Sequence, residues 1–226
     1  MASFTSSLSP DSDAFALFVD ERYGYKDKKG VLSKNLVEKI NSFIGVLKAK
    51  KKDDEINCFD ISNKQKCFVV KVKSKYRSFF PQESGASFFS HLKKIKDLKK
   101  IDLYIDSLDF DKEKLVNFFS EFCLGFNLKS YTFNKYKTAD KEKINKKINF
   151  QIITSYKDQL QKKYKYFDSI KEGVFLTRDL VSEPPNVLNP KTYVQEIKKL
   201  SKLGLKIKAY NEKELKKLGL NALLGV

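Results

Sequence analysis

Short apolar runs alternate along the first two thirds of the chain with segments whose apolar residues recur every three or four positions. Runs of five or six apolar-rich residues bounded by polar or turn residues predict strands at residues 14–19, 67–72, 101–105 and 148–153. Three-to-four spacing predicts helices after Ser33, from Phe88 onward and around residues 115–122. Strands that alternate with helices are typical of an α/β layer fold with a mainly parallel sheet, in which the first three of these strands lie side by side.

Small residues set two of the predicted helix boundaries. The Ser-Gly-Ala-Ser run at residues 84–87 predicts a turn that leads into the helix of Phe88. Gly125 follows a phenylalanine-rich amphipathic segment and predicts a left-handed C-terminal cap for that helix.

The last third of the chain contains several residues that typically start or end helices. Residues 156–181 carry one apolar face and predict a long helix, which must end near Glu183 because Pro184 and Pro185 lack backbone donors. Asn189 and Pro190 are favoured at the N-cap and first position of the next helix. Residues 205–209 alternate as a strand would, and a further helix follows. For that helix, Asn211 and Glu214 predict a capping box at the start and Gly219 predicts the end.

The charge of the chain raises the question of a polyanionic partner. The net charge is +17, yet Arg22, Arg77 and Arg178 are the only arginines among 45 basic residues. Base readout and bidentate phosphate binding favour arginine, and the lysines are spread through every segment, so a solvated surface is the favoured interpretation. Residues 1–19 lack a secretory signal, and no apolar run reaches the ~18 residues that a membrane span needs.

The residues that most often build metal and redox sites are scarce. Cys58, Cys67 and Cys123 have no metal-binding spacing, so we expect buried or half-buried free thiols in a reducing cytosol. One histidine, His91, cannot build a histidine-rich metal site. The nine glycines form no phosphate-binding loop, which argues against a nucleotide site.

Three motifs together carry a resemblance to a known family. Residues 177–190 read Thr-Arg-Asp-Leu-Val-Ser-Glu-Pro-Pro-Asn-Val-Leu-Asn-Pro, and residues 213–226 and 124–138 carry two further blocks in matching order. This pattern resembles the leucyl aminopeptidase family, the cytosolic dinuclear-metal exopeptidases, over about residues 124–226. Ser182 stands where the family usually has Asn and Leu220 where it has Met.

The resemblance implies a fold and a domain division. Residues 1–155 would form a macro-domain-like N-terminal domain, residues 156–181 a connecting helix, and residues 182–226 the start of the catalytic domain. In the family, the metal-binding and catalytic residues lie downstream of the block that ends at Val226. We therefore expect the chain to be an incomplete piece that is inactive by itself.

The resemblance also implies what the intact enzyme does. It would remove N-terminal amino acids from peptides in the cytoplasm, use two divalent metal ions (Mn or Zn), and assemble as a homohexamer. No catalytic or metal-binding residue is assigned within this chain. The residues that match the opening motif are expected to be structural: Arg178, Asp179, Pro184, Asn186 and Pro190.

One alternative stays open. A chain with a net charge of +17 could be a non-catalytic binding module, either for nucleic acid, which some members of the family bind, or as an assembly scaffold.

Overall fold

The structure is a computed structural model that describes residues 3–51, 53–138 and 147–225. Its contacts divide the chain into two compact units, Met1–Phe175 and Leu176–Val226, called here the N-terminal and C-terminal units. The domain division at residues 155 and 181 stays a prediction. In the described residues, no helix is both long enough and apolar enough to cross a membrane.

The N-terminal unit is built on a six-stranded sheet. Its strands are β1 (Ser3–Thr5), β2 (Ala14–Val19), β3 (Ile56–Asp60), β4 (Lys66–Lys71), β5 (Lys100–Tyr104) and β6 (Asn149–Ile153). The order across the sheet is β1-β6-β5-β2-β4-β3, and every neighbouring pair is parallel except β3 with β4. The predicted mainly parallel sheet is confirmed, and β2 lies between β4 and β5, as predicted for these three strands.

The two edge strands are the ones that the apolar pattern did not predict. β1 has three residues, and β3 contains Asn57 and Asp60 among five. β3 forms because the chain turns back within residues 61–65 and pairs antiparallel with β4, in the register Cys58 opposite Phe68. β3 therefore forms because it pairs with the buried strand β4, and its own sequence has no regular alternation of apolar residues.

Among the described residues, six α-helices accompany the sheet and the C-terminal unit. They are α1 (Lys34–Ala49), α2 (Phe80–Lys93), α3 (Lys112–Ser130), α4 (Lys157–Ser182), α5 (Pro190–Lys199) and α6 (Glu212–Lys217). The Ser33 hydroxyl accepts the Leu36 N–H at the start of α1, and Asn189 and Asn211 close capping boxes at α5 and α6. The predicted caps are therefore confirmed, as is a left-handed Gly219 (φ +71°) after α6.

Helices cover both faces of the sheet. On one face Ile40, Ile44 and Leu47 of α1 pack against every second residue of β2 and β4 and against one residue of β5. These strand residues are Phe15, Leu17, Val19, Cys67, Val69 and Tyr104. On the other face the phenylalanines of α2 and α3 pack against Phe18 and Phe68. The result is a three-layer α/β/α domain in which β2 is buried at all six positions.

The two glycine predictions in this layer are wrong, and they fail for one reason. Residues 84–87 lie inside α2, and Gly125 lies inside α3 rather than at its end. A Cβ on Gly85 would lie 1.9 Å from the Phe122 carbonyl oxygen, and one on Gly125 would lie 1.9 Å from that of Gln82. The small residues therefore allow two helix backbones to touch, which is a use of glycine that sequence position alone does not reveal.

The predicted strand at residues 205–209 is also wrong. These residues have no regular structure and follow a short 3₁₀ turn at Leu200–Leu203. A strand needs a neighbour to satisfy its backbone groups, and no described residue of the C-terminal unit supplies one.

Candidate functional site

The carboxyl ends of the parallel strands are the first place to look for a site. In such sheets, ligands bind where neighbouring strands send the chain to opposite faces. Here β2 leads to α1 on one face and β4 leads to α2 on the other, so the crevice between their ends is that place. The loops after β2 and β4 form its walls.

The acidic side chains of this crevice accept hydrogen bonds from other groups of the two loops. Glu21 accepts hydrogen bonds from the Ser74 backbone N–H (3.1 Å) and hydroxyl (3.0 Å), and so ties one wall to the other. Asp20 accepts the N–H groups of Arg22 (2.8 Å) and Gly24 (2.7 Å) within its own loop. Both carboxylates therefore stabilise loop geometry.

The ends of β5 and β6 are closed in the same way. Asp106 accepts hydrogen bonds from the Thr154 hydroxyl (2.6 Å) and from the Ser155 N–H (2.7 Å). The fully buried Ser107 hydroxyl accepts the Phe18 N–H at 3.0 Å and lies 2.7 Å from the Tyr104 carbonyl oxygen. The signal for these contacts in the sequence is weak: Asp106 and Ser107 come just after a predicted strand.

Tyr104 and Asp27 form a further internal contact at this edge. The Tyr104 hydroxyl donates to Asp27 at 2.8 Å, and the same carboxylate accepts the N–H groups of Val31 (2.9 Å) and Leu32 (3.0 Å). Burial, the hydrogen bond to Asp27 and the nearby negative charges raise the pKa of Tyr104 above its usual value. The hydroxyl therefore stays protonated and anchors the loop before α1.

The thiols and the histidine are not arranged as a reactive site. Burial raises the pKa of Cys58 to about 11, and it also raises the pKa of the buried Cys67 and Cys123 thiols. A thiol nucleophile needs a lowered pKa, so these cysteines are inert by that criterion. His91 lies edge-on to Phe68, with 6.4 Å between ring centroids.

The described residues do not fit a dinuclear metal site. Two catalytic metals ~3.5–4 Å apart need several converging carboxylate ligands. Among residues 3–51, 53–138 and 147–225, no group of three or more His, Cys, Asp or Glu side chains could hold a metal ion. The acidic residues described above accept hydrogen bonds from backbone N–H or hydroxyl groups instead.

The segment that carries the sequence motif spans the end of α4 and the start of α5. Arg178 is half-buried and Asp179 exposed in the last turns of α4, and both interact with other groups. The Pro184 carbonyl accepts the Val187 and Leu188 N–H groups, both at 2.9 Å, in a tight turn that holds Asn186 on the surface.

A capping box formed by Asn189 and Thr192 starts α5. The Asn189 side chain accepts the N–H groups of Lys191 (3.1 Å) and Thr192 (3.2 Å), and Pro190 occupies the first helical position. The Thr192 hydroxyl in turn accepts the Asn189 N–H at 2.9 Å and lies 2.8 Å from the Val187 carbonyl oxygen. The motif residues thus lie in one continuous segment, where their visible contacts fix the path of the backbone. The role of Thr192 was missed because threonine is an uncommon third residue in a capping box.

Comparisons with known proteins agree on one family. The model of the cytosol aminopeptidase family catalytic domain matches residues 175–226. A probable cytosol aminopeptidase of Agrobacterium fabrum is 39% identical over 146 residues, which cover 63% of this chain and 28% of that protein. A probable cytosol aminopeptidase of Phytoplasma mali is 40% identical over 134 residues, 57% of this chain and 26% of that protein.

Solved structures show the fold. A mutant of tomato leucine aminopeptidase superposes with a TM-score of 0.75 at 18% identity, over 96% of this chain and 46% of that one. A bottromycin maturation enzyme in complex with Mn gives a TM-score of 0.64 at 13% identity, over 92% and 40%. The chain therefore spans little more than a quarter of the curated relatives it matches and less than half of these solved chains.

Proposed function

The chain belongs to the cytosol aminopeptidase family, and from this premise we propose that it supplies the N-terminal domain and the opening segment of the catalytic domain of a metal-dependent aminopeptidase. The family match at residues 175–226 carries the proposal, since these residues include the Pro-Pro turn and the capped start of α5. The intact enzyme removes N-terminal amino acids from peptides in the cytoplasm, with two Mn or Zn ions, as a homohexamer.

The role of this segment is architectural. Arg178, Asp179, Pro184, Asn186 and Pro190 set the path by which the chain enters the catalytic domain. The visible hydrogen bonds of Pro184 and Asn189 support that role, because each is made to a neighbouring backbone group. The 226 residues by themselves do not hydrolyse peptides, because their described side chains offer no set of ligands for two metals.

The alternative of a non-catalytic binding module gains no support. The curated relatives compared above carry aminopeptidase names. The arginine next to the α2 start, Arg77, forms an ion pair with Glu83 at 3.0 Å.

A chimera tests the architectural role. Residues 175–226 of this chain would replace the matching segment of the Agrobacterium fabrum relative, and hydrolysis of leucine amide would be measured with Mn²⁺ present. We expect metal-dependent turnover to be retained within about tenfold of the unmodified relative, which is about 1.4 kcal/mol. A folded chimera without turnover would contradict the role of the segment.

A second measurement tests the isolated chain. The 226-residue protein, assayed with Mn²⁺ or Zn²⁺, should hydrolyse leucine amide no faster than the blank. Turnover that survives purification and is lost with a chelator would show that these residues contain a site that the described side chains do not reveal.

A further inference from the structure

The C-terminal unit holds most of the exposed apolar side chains among the described residues. None of its described residues is buried, in contrast to the packed core of the N-terminal unit. Of sixteen large apolar side chains that are exposed, eleven belong to the C-terminal unit, although it has fewer than a third as many residues as the N-terminal unit. Such a concentration of exposed apolar side chains marks a surface that another surface covers.

Part of this apolar surface forms a groove that α5 and α6 line together. The groove has a volume of about 1080 Å³, and Val194, Tyr210 and Leu223 line it with exposed side chains. The charged residues that line it are four lysines and one glutamate: Lys191, Lys198, Lys213, Lys216 and Glu212. A partner that fills the groove must therefore combine apolar side chains with carboxylates, because complementary charges favour one partner over others.

Residues 205–209 of the same unit have an unpaired backbone. Among the described residues, no hydrogen bond joins the backbone of this segment to another group. Leu205 and Ile207 alternate with Lys206 and Lys208, as in a strand that has one apolar face. Unpaired N–H and C=O groups can bond an added strand, so the partner that covers the apolar surface can also supply the neighbour that this segment lacks.

The comparisons with known proteins indicate which polypeptide covers this surface. Residues 175–226, which include the whole C-terminal unit, match the catalytic-domain model of the cytosol aminopeptidase family. The match to the Agrobacterium fabrum protein takes up 28% of that protein, so most of such an enzyme lies outside the matched block. The elements of one domain bury their apolar faces against each other, so the rest of the catalytic domain fits this surface.

We propose that the groove between α5 and α6, together with residues 205–209, is a docking surface for the remaining part of a cytosol aminopeptidase catalytic domain. The docked part packs apolar side chains on Val194, Tyr210 and Leu223, sets carboxylates against the lysines of the groove, and adds a strand beside residues 205–209. The segment 205–209 thus becomes a strand only when the surface is covered. This inference rests on the proposed function, because that function supplies the partner.

Hydrogen exchange in the chimera described above tests the docking surface. In that protein, residues 175–226 of this chain lie within the Agrobacterium fabrum relative, whereas the purified 226-residue protein offers them no such partner. We expect amide exchange at residues 205–209 to be at least about 100-fold slower in the chimera than in the 226-residue protein, because a neighbouring strand protects their N–H groups.

Two substitutions locate the surface in the groove. Val194→Asp places a carboxylate where the docked part is apolar, and it should lower the thermal midpoint of the chimera by at least about 5 °C. The same substitution should shift the midpoint of the 226-residue protein by less than about 1 °C, because Val194 is exposed there. Ser201→Asp is the control, because it changes the charge equally at an exposed residue outside the groove. It should shift neither midpoint by more than about 1 °C.

The outcomes separate the docking surface from the proposed function. Slow exchange at residues 205–209 in a folded chimera without turnover supports the docking surface and contradicts the proposed function. Turnover with exchange at residues 205–209 as fast as in the 226-residue protein overturns the docking surface alone.

Three further results would also overturn the docking surface. One is a chimera that does not fold, because the grafted surface then does not fit the rest of the domain. Another is an equal fall of the chimera's midpoint with Val194→Asp and Ser201→Asp. The third is slow exchange at residues 205–209 in the 226-residue protein by itself, which would mean that the chain's own residues or a second copy cover them.

Discussion

The N-terminal and C-terminal units use their apolar side chains in different ways. In the N-terminal unit β2 is buried at every position, and α3 alone contributes ten buried residues. In the C-terminal unit neither α5 nor α6 has a buried residue, and Leu203 and Leu205 are 77% and 54% exposed. One unit is held by a packed core, and in the other each helix starts from a local cap.

This difference in burial indicates that the N-terminal unit depends on contacts between residues distant in sequence, whereas the C-terminal unit depends on contacts between sequence neighbours. Helices of ten and six residues are marginal in water without packing, whatever their caps. We therefore expect substitutions in the N-terminal unit to change global stability and substitutions in the C-terminal unit to change local order.

The largest effect should come from the phenylalanine core. Phe119 is fully buried and packs edge-on to Phe18, with 4.6 Å between ring centroids. Phe119→Ala should lower the free energy of unfolding by about 3–5 kcal/mol through lost burial and a residual cavity. Leu203→Ala in the C-terminal unit should change it by less than about 0.5 kcal/mol, measured by urea unfolding. Equal losses would mean that the C-terminal unit is packed as tightly as the core.

The next effect should come from the helix contact at Gly125. Gly125→Ala places a Cβ against the Gln82 carbonyl and forces α2 and α3 apart, which should cost about 1–3 kcal/mol. Gly45→Ala is the matched control, because its Cβ would meet no atom within 4 Å. Alanine also favours helix, so the control should be stabilised by about 0.5–1 kcal/mol. A thermal midpoint that falls equally in both variants would contradict the close-approach explanation.

The buried hydroxyl of Tyr104 should make the stability of the fold depend on pH in the alkaline range. Its pKa is raised in the folded state, so above pH ~10 the unfolded chain loses a proton that the folded chain keeps. This contribution to stability is complete below pH ~10 and is lost as pH rises further. Tyr104→Phe should cost about 1.5–3 kcal/mol near neutral pH, because it removes a hydrogen bond to a carboxylate.

The slope of stability against pH is the decisive measurement for that residue. Urea unfolding from pH 8 upward should show a shallower alkaline decline in Tyr104→Phe than in the wild type. Tyr210→Phe, at a 44% exposed residue of the C-terminal unit, serves as the control and should keep the wild-type slope. Parallel curves for Tyr104→Phe and the wild type would show that the hydroxyl is not retained in protonated form.

The smallest effect should be confined to α6. Asn211 accepts the Glu214 N–H at 3.1 Å, and Glu214 accepts the Asn211 N–H at 2.8 Å. Asn211→Ala should destabilise the helix by about 1 kcal/mol and increase amide hydrogen exchange in α6 about fivefold, with global unfolding unchanged. Lys213→Ala, which leaves the cap intact, should not increase exchange. A fall in the global midpoint for Asn211→Ala would mean that the two units unfold together.

The amino-acid sequence by itself determined the features that depend on neighbouring residues. Apolar runs determined β2, β4, β5 and β6, and the side chains of Ser33, Asn189 and Asn211 determined where three helices begin, because a cap bonds N–H groups two or three residues away. The motif at residues 177–190 likewise indicated the family, since its residues are read along the chain.

Only the tertiary structure decided the features that depend on distant residues. Sequence position predicts helix boundaries at Gly85 and Gly125, but each glycine contacts a helix some forty residues away in sequence. The edge strand β3 exists because β4 is beside it, whereas residues 205–209 have the alternation of a strand but no partner strand among the residues that the structure describes. The clasp of Asp106 on Thr154 and Ser155 also joins residues that are almost fifty positions apart. In each case the local structure depends on whether a residue that is distant in sequence lies nearby in space, and sequence order does not show this.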